Sequence, residues 1–338
     1  MAKIKWIVAI GIVTLTVTFF LNNDQDPEQL PYKIGVLMTG DSRLEKLAGL
    51  KKGLSDLGFK QESLEFIVMN AEDDLARLTQ LSQQLTTYDL DVIVTLGAVE
   101  TLRVKQESEK LNKSIPVVFA GIAAPTQLGL IESYRSPGNL FTGINNYHMN
   151  LSAKRLELFS ELIIDLERVL VLYDKEIDVG RMSLKITQEA ANQLKIPIKE
   201  FNMHEQDVFK RIKENLRPTD GLLILPSHYI ESLSNEIAQF AIKNQIPSMG
   251  IYERDVKQGY LVGYGASFFD LGYQSARHVS LILQGNDPAE LPVELPDKIN
   301  FLLNDQVKNE LNIKLNYDLV RMADIYYQAD VFEGEILK

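Results

Sequence analysis

The residues of this chain with ligand-binding chemistry sit where apolar runs end. Thr95, Gly97 and Ala98 close the run Asp91-Val92-Ile93-Val94 and open a helical stretch. The free N–H groups of a helix N-terminus can receive a carboxylate or another polar group. Glu100 follows in the first turn, where an acid also complements the helix dipole. After the next apolar run come Ala120, Gly121 and Ile122, and the lack of bulk at Ala120 and Gly121 lets a ligand approach the backbone. Later runs end on Tyr173 with Asp174, on Ser227 with His228 and Tyr229, and on Tyr252 with Glu253. Tyrosine offers a flat apolar face and a hydroxyl, which suits an aromatic or ring-shaped ligand. Tyr147 follows a change of rhythm near Gly143, so it can line a cleft or support a hinge. Turn chemistry and half-buried packing are open to each of these residues as well, and His148, His204 and His278 read as surface or packing residues.

No pattern calls for catalysis, a cofactor or a metal. The chain has no cysteine, no Gly-rich phosphate loop with its Lys, no Gly-x-Ser-x-Gly elbow and no His-x-x-x-His pair. Asp73 and Asp74 are adjacent at a helix start, where they serve the helix dipole better than acid/base work. A net charge of -11 argues against nucleic acid, since phosphate neutralisation needs clustered Lys and Arg. The expectation is a protein that binds a small molecule without transforming it.

These positions need elements to hold them, and the chain alternates short apolar runs with amphipathic stretches, the rhythm of parallel α/β architecture. Strands are expected at Lys33 to Met38, Leu64 to Met69, Asp91 to Thr95 and Ile115 to Phe119, with helices at Leu44 to Leu57, Asp73 to Thr86 and Val99 to Lys110. After Gly143 the pattern restarts. Helices are expected at Ser152 to Leu162, Met182 to Leu194, Gln206 to Asn215 and Ser232 to Lys243. Between them lie strands at Arg168 to Tyr173, Ile198 to Phe201, Gly221 to Leu225 and Pro247 to Ile251. A further strand and helix over Tyr260 to Leu283 and a last strand, Asn300 to Leu303, are shared between two similar halves. Such sharing makes a multi-strand hinge, with the ligand at the carboxyl ends of the strands.

The first residues bear on location. Lys3 and Lys5 precede an uncharged run, Trp6 to Leu21, that turns polar at Asn22. This is an export signal, between the length of a signal-peptide core and that of a membrane span. Its exit, Phe19-Phe20-Leu21-Asn22-Asn23, lacks the small residues of a cleavage site, which favours an uncleaved signal-anchor. With no cysteine to carry a lipid, anchoring would rest on this hydrophobic helix, with the N-terminus cytoplasmic and the rest outside, at the periplasm or cell surface.

Several phrases, in order and spacing, carry a resemblance: Asp91-Val-Ile-Val-Thr-Leu-Gly, Ile115-Pro-Val-Val-Phe-Ala, Ser136-Pro-Gly-Asn-Leu-Phe-Thr-Gly-Ile, Leu156-Glu-Leu-Phe-Ser-Glu-Leu-Ile, Gly259-Tyr-Leu-Val-Gly-Tyr-Gly and Leu271-Gly-Tyr-Gln-Ser-Ala. With Ile282-Leu-Gln-Gly-Asn-Asp-Pro-Ala-Glu-Leu-Pro-Val-Glu and Val320-Arg-Met-Ala-Asp, they resemble the ABC-transporter substrate-binding family that includes tryptophan/tyrosine-type solute-binding proteins. The resemblance implies an α/β, type I periplasmic-binding fold with two Rossmann-like lobes on parallel sheets. It places residues 1–31 as signal and linker, 32–145 and 260–285 as lobe one, 146–259 and 297–338 as lobe two, and 286–296 as a crossover. It also implies a small-molecule ligand and, as partner, an ABC permease; a membrane signalling protein is the alternative, making the chain a sensor. Where the family carries acids, this chain has Ala123-Ala124-Pro125, Ser227-His228 and Ser267. Those substitutions imply a ligand without an obligatory ammonium group.

Overall fold

In a computed structural model, which describes residues 30–326, the chain forms two parallel-stranded lobes. The expected N-terminal hydrophobic helix over residues 6–21 lies outside the described residues. Among the described residues, no helix is long and apolar enough to cross a membrane.

The first sheet is built from β1 (Tyr32–Met38), β2 (Leu64–Asn70), β3 (Val92–Thr95), β4 (Val117–Ile122) and β5 (Phe141–Asn145), in the order β2-β1-β3-β4-β5. All its pairings are parallel. Alternate residues of a strand face opposite ways, and both faces here are apolar. Ile34, Val36, Val92, Val94 and Val118 pack against helix α1 (Leu44–Asp56), while Leu37, Ile93, Val117 and Phe119 pack on the other side against α2 (Leu75–Leu85) and α3 (Ala98–Leu111). Covering on both faces explains why these strands read as continuous apolar runs.

The second lobe repeats the plan with β6 (Arg168–Tyr173), β7 (Ile198–Asn202), β8 (Asp220–Ile224) and β9 (Ser248–Gly250), flanked by α4 (Ser152–Leu162), α5 (Asp178–Leu194), α6 (Val208–Glu214), α7 (His228–Ser232), α8 (Ser234–Lys243) and α9 (Glu253–Gln258). Its sheet continues through β10 (Val262–Gly265), β11 (Asn300–Asn304) and β12 (Asp324–Tyr326), in the order β12-β11-β10-β9-β8-β6-β7, with only β10 and β11 antiparallel. The order reverses beside β1 in the first sheet and beside β6 in the second. Such reversals open a crevice at the carboxyl ends of the strands.

The sharing between lobes differs from expectation in one place. The sequence puts 260–285 in lobe one, but Val262–Gly265 pairs with β9 and β11 in the second sheet. The crossing falls instead just after Gly265, because the following helix α10 (Phe268–Leu283) packs its Ala276 and Val279 on the first sheet. A last return runs along the edge of the first sheet, where Asn145 N–H donates to Glu294 O (2.8 Å) and Glu294 N–H to Gly143 O (3.0 Å). The chain then crosses to β11, α11 (Asp305–Leu311) and α12 (Tyr317–Met322).

Close packing between two helices anchors the start of α1. A Cβ at Gly49 of α1 would stand 2.1 Å from Phe269 O, and one at Gly272 of α10 would stand 1.9 Å from Lys46 O. Only hydrogen fits at either position, so the two backbones approach far closer than side chains usually allow. The first turn of α1 is thereby fixed against the first turn of α10.

Candidate functional site

The loops at the carboxyl ends of the two sheets meet, and charged groups meet with them. The loop after β1 ends in a short turn, Asp41–Arg43, and Arg43 reaches across to α7 of the second lobe. Arg43 Nη1 donates to Glu231 Oε1 at 2.5 Å and Nη2 to Glu231 Oε2 at 3.1 Å, a two-pronged bond with side chains only 7% and 9% exposed. On its own lobe the same guanidinium lies 3.7 Å from Glu100. Burial alone would push the Arg43 pKa down, but Glu231 and Glu100 outweigh it and hold it above the ordinary value. Burial likewise opposes ionisation of Glu231, and the charge and hydrogen bonds of Arg43 overturn that, leaving its pKa below the usual value.

Glu100 stands on the first turn of α3, folded back over Gly97. Its Oε1 accepts from the Thr39 N–H (3.1 Å) and hydroxyl (3.2 Å), while its Oε2 accepts nothing from the described residues. Lys46, in the first turn of α1, donates to Leu96 O (2.8 Å) and Ala120 O (2.7 Å), tying the end of β3 to β4. Burial, and then repulsion from Arg43, lowers its pKa to about 7. Both cations stand near the ring of Phe268, Arg43 at 5.1 Å and Lys46 at 4.8 Å from its centroid, a placement that favours positive charge.

Aromatic groups continue the site towards the hinge. Tyr252 lies between Phe268, with ring centroids 4.7 Å apart, and His148, at 4.8 Å. His148 is buried on the first crossing and its Nε2 accepts from the Ala266 N–H of the second (3.2 Å). Burial, helped by Arg155 and Lys46, pushes its pKa well down and keeps the imidazole neutral, as an acceptor must be. Arg155 binds both crossings, donating to His148 O (2.8 Å) and Tyr264 O (2.7 Å). On the second lobe, Ser227 caps α7: its oxygen accepts from the Tyr229 and Ile230 N–H groups and its hydroxyl donates to Asp174 (2.7 Å). Asp174 also bonds His204 (3.0 Å), which stacks on Tyr229 with centroids 4.1 Å apart. This chain of contacts sets the orientation of the helix that carries Glu231.

The residues expected from the sequence divide in this setting. Tyr252, Ser227, His228 and Tyr229 lie at or beside the meeting of the lobes, Gly121 is packed under Lys46 and Leu271, and Gly97 lies under Glu100. Ser267 caps α10, accepting from Asp270 N–H (3.0 Å), and Ala98 packs on lobe one. Thr95 and Ile122 are wholly inside lobe one, Thr95 bonded to the Thr101 hydroxyl (2.7 Å). Tyr173 packs on the core of lobe two, where burial and Glu200 on the neighbouring strand raise its pKa. Tyr147 adopts a left-handed backbone (φ 59°) and is half-buried at the first crossing.

Sequence reasoning passed over Arg43, Lys46, Phe268 and Glu231, and read Glu100 as a dipole partner. It read Ala123, Ser227-His228 and Ser267 as standing where the family carries acids; the structure brings the carboxylates of Glu100 and Glu231 to the meeting of the lobes from other positions. A usable signal was present, because Thr39-Gly-Asp-Ser-Arg43 follows the first strand, and strand-end loops are where α/β sheets bind ligands.

Paired doubly wound sheets joined by repeated crossings, with charged and aromatic residues at the facing strand ends, define a two-lobed binding protein of the type I periplasmic-binding fold. Residues 33–326 match the family model described as ABC transporter substrate binding protein, and the chain belongs to that family, one of binding proteins rather than enzymes. It is 22% identical over 283 residues to a tyrosine-binding protein of Clostridioides difficile (strain R20291), covering 81% of this chain and 78% of that protein. The crystal structure of an ABC domain in complex with L-Trp from Streptococcus pneumonia superposes with a TM-score of 0.78 at 20% identity, over 87% of this chain and 99% of the other. The ligand-free, open structure of a Clostridium difficile substrate binding protein with adhesive properties gives 0.69 at 19% identity, over 87% and 99%.

Proposed function

We propose that this chain is the extracytoplasmic solute-binding component of an ABC importer, and that its lobes close on a small organic ligand between the loops that carry Arg43, Glu100, Tyr252 and Glu231. The observation that carries this reading is the Arg43–Glu231 contact, which links residues 188 positions apart on different lobes. Buried charges of opposite lobes that meet at strand ends can be separated only by lobe opening, and a hinge motion of this kind is how a two-lobed protein reports occupancy. Family membership supports transport, and the names of the relatives support an aromatic ligand, for which Tyr252 and Phe268 supply flat faces.

A thermal-shift screen of the full chain with small metabolites tests this, since a ligand selective for the native form raises the melting temperature. A saturable rise that Tyr252→Ala abolishes is expected. A ligand whose effect survives Tyr252→Ala and Glu231→Gln would place binding elsewhere. The second reading, an anchored sensor reporting to a membrane signalling protein, is favoured by the exit Phe19-Phe20-Leu21-Asn22-Asn23, which lacks small residues. Mass spectrometry of the mature N-terminus separates the two, because a start near Asp24 removes the anchor.

A further inference from the structure

A groove on lobe two lies at the pole away from the meeting of the lobes. It borders the chain between α11 and α12, which is tied to the end of α4 just before β6 begins: Asn316 N–H donates to Leu162 O (2.8 Å) and Ile164 N–H to Lys314 O (3.1 Å). The groove holds about 330 Å³. Ile313, Leu315, Tyr317 and Val320 give it an apolar wall, while Lys308, Asn309 and Asn312 give it a polar one, so that among the described residues Lys308 is the only charged one lining it. Lys308 bonds Asp305 on its own helix, which uses one of the three ammonium donors. The Arg321 guanidinium, 5.9 Å from the centre of the Tyr317 ring, puts a second cation at the rim. Leu315 and Val320 pack on the core of lobe two, but Tyr317 is 71% exposed. An aromatic face left in water beside an apolar wall gains by being covered.

We propose that residues 327–338 of this chain dock in that groove, with Phe332 against Tyr317 and the flanking acids Asp330 and Glu333 turned to Lys308 and the rim. The strand β12 ends at Tyr326, paired with Asn304, and α11 starts at the next residue after Asn304. The tail therefore leaves the sheet one short helix away from the groove, since α11 has 7 residues and a length of about 10 Å. From Tyr326 to Phe332 the chain can span up to about 20 Å, which is ample. Its sequence, Tyr327-Gln-Ala-Asp-Val-Phe-Glu-Gly-Glu-Ile-Leu-Lys338, brackets an apolar pair with acids and carries three acids against one lysine. That is the complement of an apolar wall edged by cations. A separate protein needs about 800 Å² per partner for a stable interface, more than a groove of this size offers. A tethered segment meets its site at an effective concentration near millimolar, so a small contact suffices. Docking would staple α11, α12 and β12, the last elements of lobe two, without touching the hinge.

The test uses the absence of cysteine from the chain, which lets single pairs be introduced cleanly. In the full chain, Asn309→Cys with Val331→Cys should close a disulfide within one molecule under mild oxidation, and adding Phe332→Ala should lower the yield at least fivefold. Lys60→Cys, exposed on lobe one, measures chance collision: paired with Val331→Cys it should give less than a tenth of that yield. Thermal melts supply a readout that needs no link. Phe332→Ala should lower the melting temperature by about 2 °C, and should lower it no further once Tyr317→Ala has removed the aromatic wall. Equal yields from the two cysteine pairs, a yield indifferent to Phe332→Ala, or additive shifts in the melts would overturn the proposal. A disulfide between two molecules would overturn it as well, by assigning the groove to a second copy.

Discussion

Breaking the Arg43–Glu231 pair one side at a time should open the lobes, and breaking both sides together should open them far less. The perturbations are Arg43→Met, Glu231→Gln and the double variant. At an effective dielectric near 20, unit charges roughly 4 Å apart attract by about 4 kcal/mol. Removing one partner of a buried pair costs about 3–5 kcal/mol, because the other charge stays uncompensated in the closed form, whereas replacing both is close to neutral. With side chains only 7% and 9% exposed, the pair is shielded from salt screening, and the buried figures apply. In an open form both charges are hydrated, so the loss falls on the closure equilibrium. A loss of about 3 kcal/mol shifts that equilibrium by about a hundredfold towards open. The chain has no cysteine, so a cysteine placed on each lobe gives a clean dye pair for energy-transfer measurements. Singles that open and a double that largely recovers closure are expected. Strictly additive effects, or singles that stay closed, would refute the view that this pair bridges the lobes.

Other consequences concern what holds the site in place. Gly272→Ala puts a Cβ 1.9 Å from a backbone oxygen, Lys46 O, where no rotamer change brings relief. A destabilisation of about 1–3 kcal/mol is expected in denaturant melts, and full stability would mean that α1 and α10 are not so closely packed. Ser227→Ala removes the cap of α7 and a donor to Asp174, so a loss of at least about 1 kcal/mol is expected, with weaker ligand binding through the Glu231 helix. Lys46 titrates near 7 in the fold against 10.5 ordinarily, so the native state holds fewer protons than the unfolded chain between those values, and stability should rise with pH across that window. Lys46→Met should remove that rise; melts from pH 7 to 10 with unchanged slope would show that the ammonium is not buried.

The architecture was legible wherever one period of apolar residues ran long enough to be counted. Ser152–Leu162 and Arg168–Tyr173 come out at the boundaries the pattern gives. The strand Phe141–Asn145 did not, because it is short and holds Gly143 at a backbone angle (φ 143°) that breaks the apolar run. A helix read as starting at Ser232 is two helices, His228–Ser232 and Ser234–Lys243, and Glu231 belongs to the first. That division puts Glu231 on a short helix of its own, from which it reaches across to Arg43 of the other lobe. Tyr229 and Tyr252 were singled out because a large amphipathic side chain at a strand end is a local signal, one that Tyr173, packed on the core of lobe two, gives equally. Arg43 and Glu231 carry no such signal, since their meaning lies in a contact between residues that are neighbours only after both sheets have formed and the hinge has brought them together.

An asymmetry in how the site is supported arises from these contacts. Lobe one presents Arg43 and Lys46 from the start of a helix locked by glycine contacts to its neighbour, so their positions depend on the backbone of a rigid pair. Lobe two presents Glu231 from a helix of 5 residues that its own hydrogen bonds cannot hold alone. Ser227, Asp174 and His204 supply the missing restraint through side-chain bonds. Small changes among those three residues can re-aim Glu231 without disturbing a core, whereas re-aiming Arg43 requires a change in helix packing. The aim of Glu231 is therefore adjustable on the second lobe, and that of Arg43 is fixed on the first. Variants at Asp174 should alter which ligand is held before they alter whether the protein folds, and variants at Gly49 or Gly272 should do the opposite.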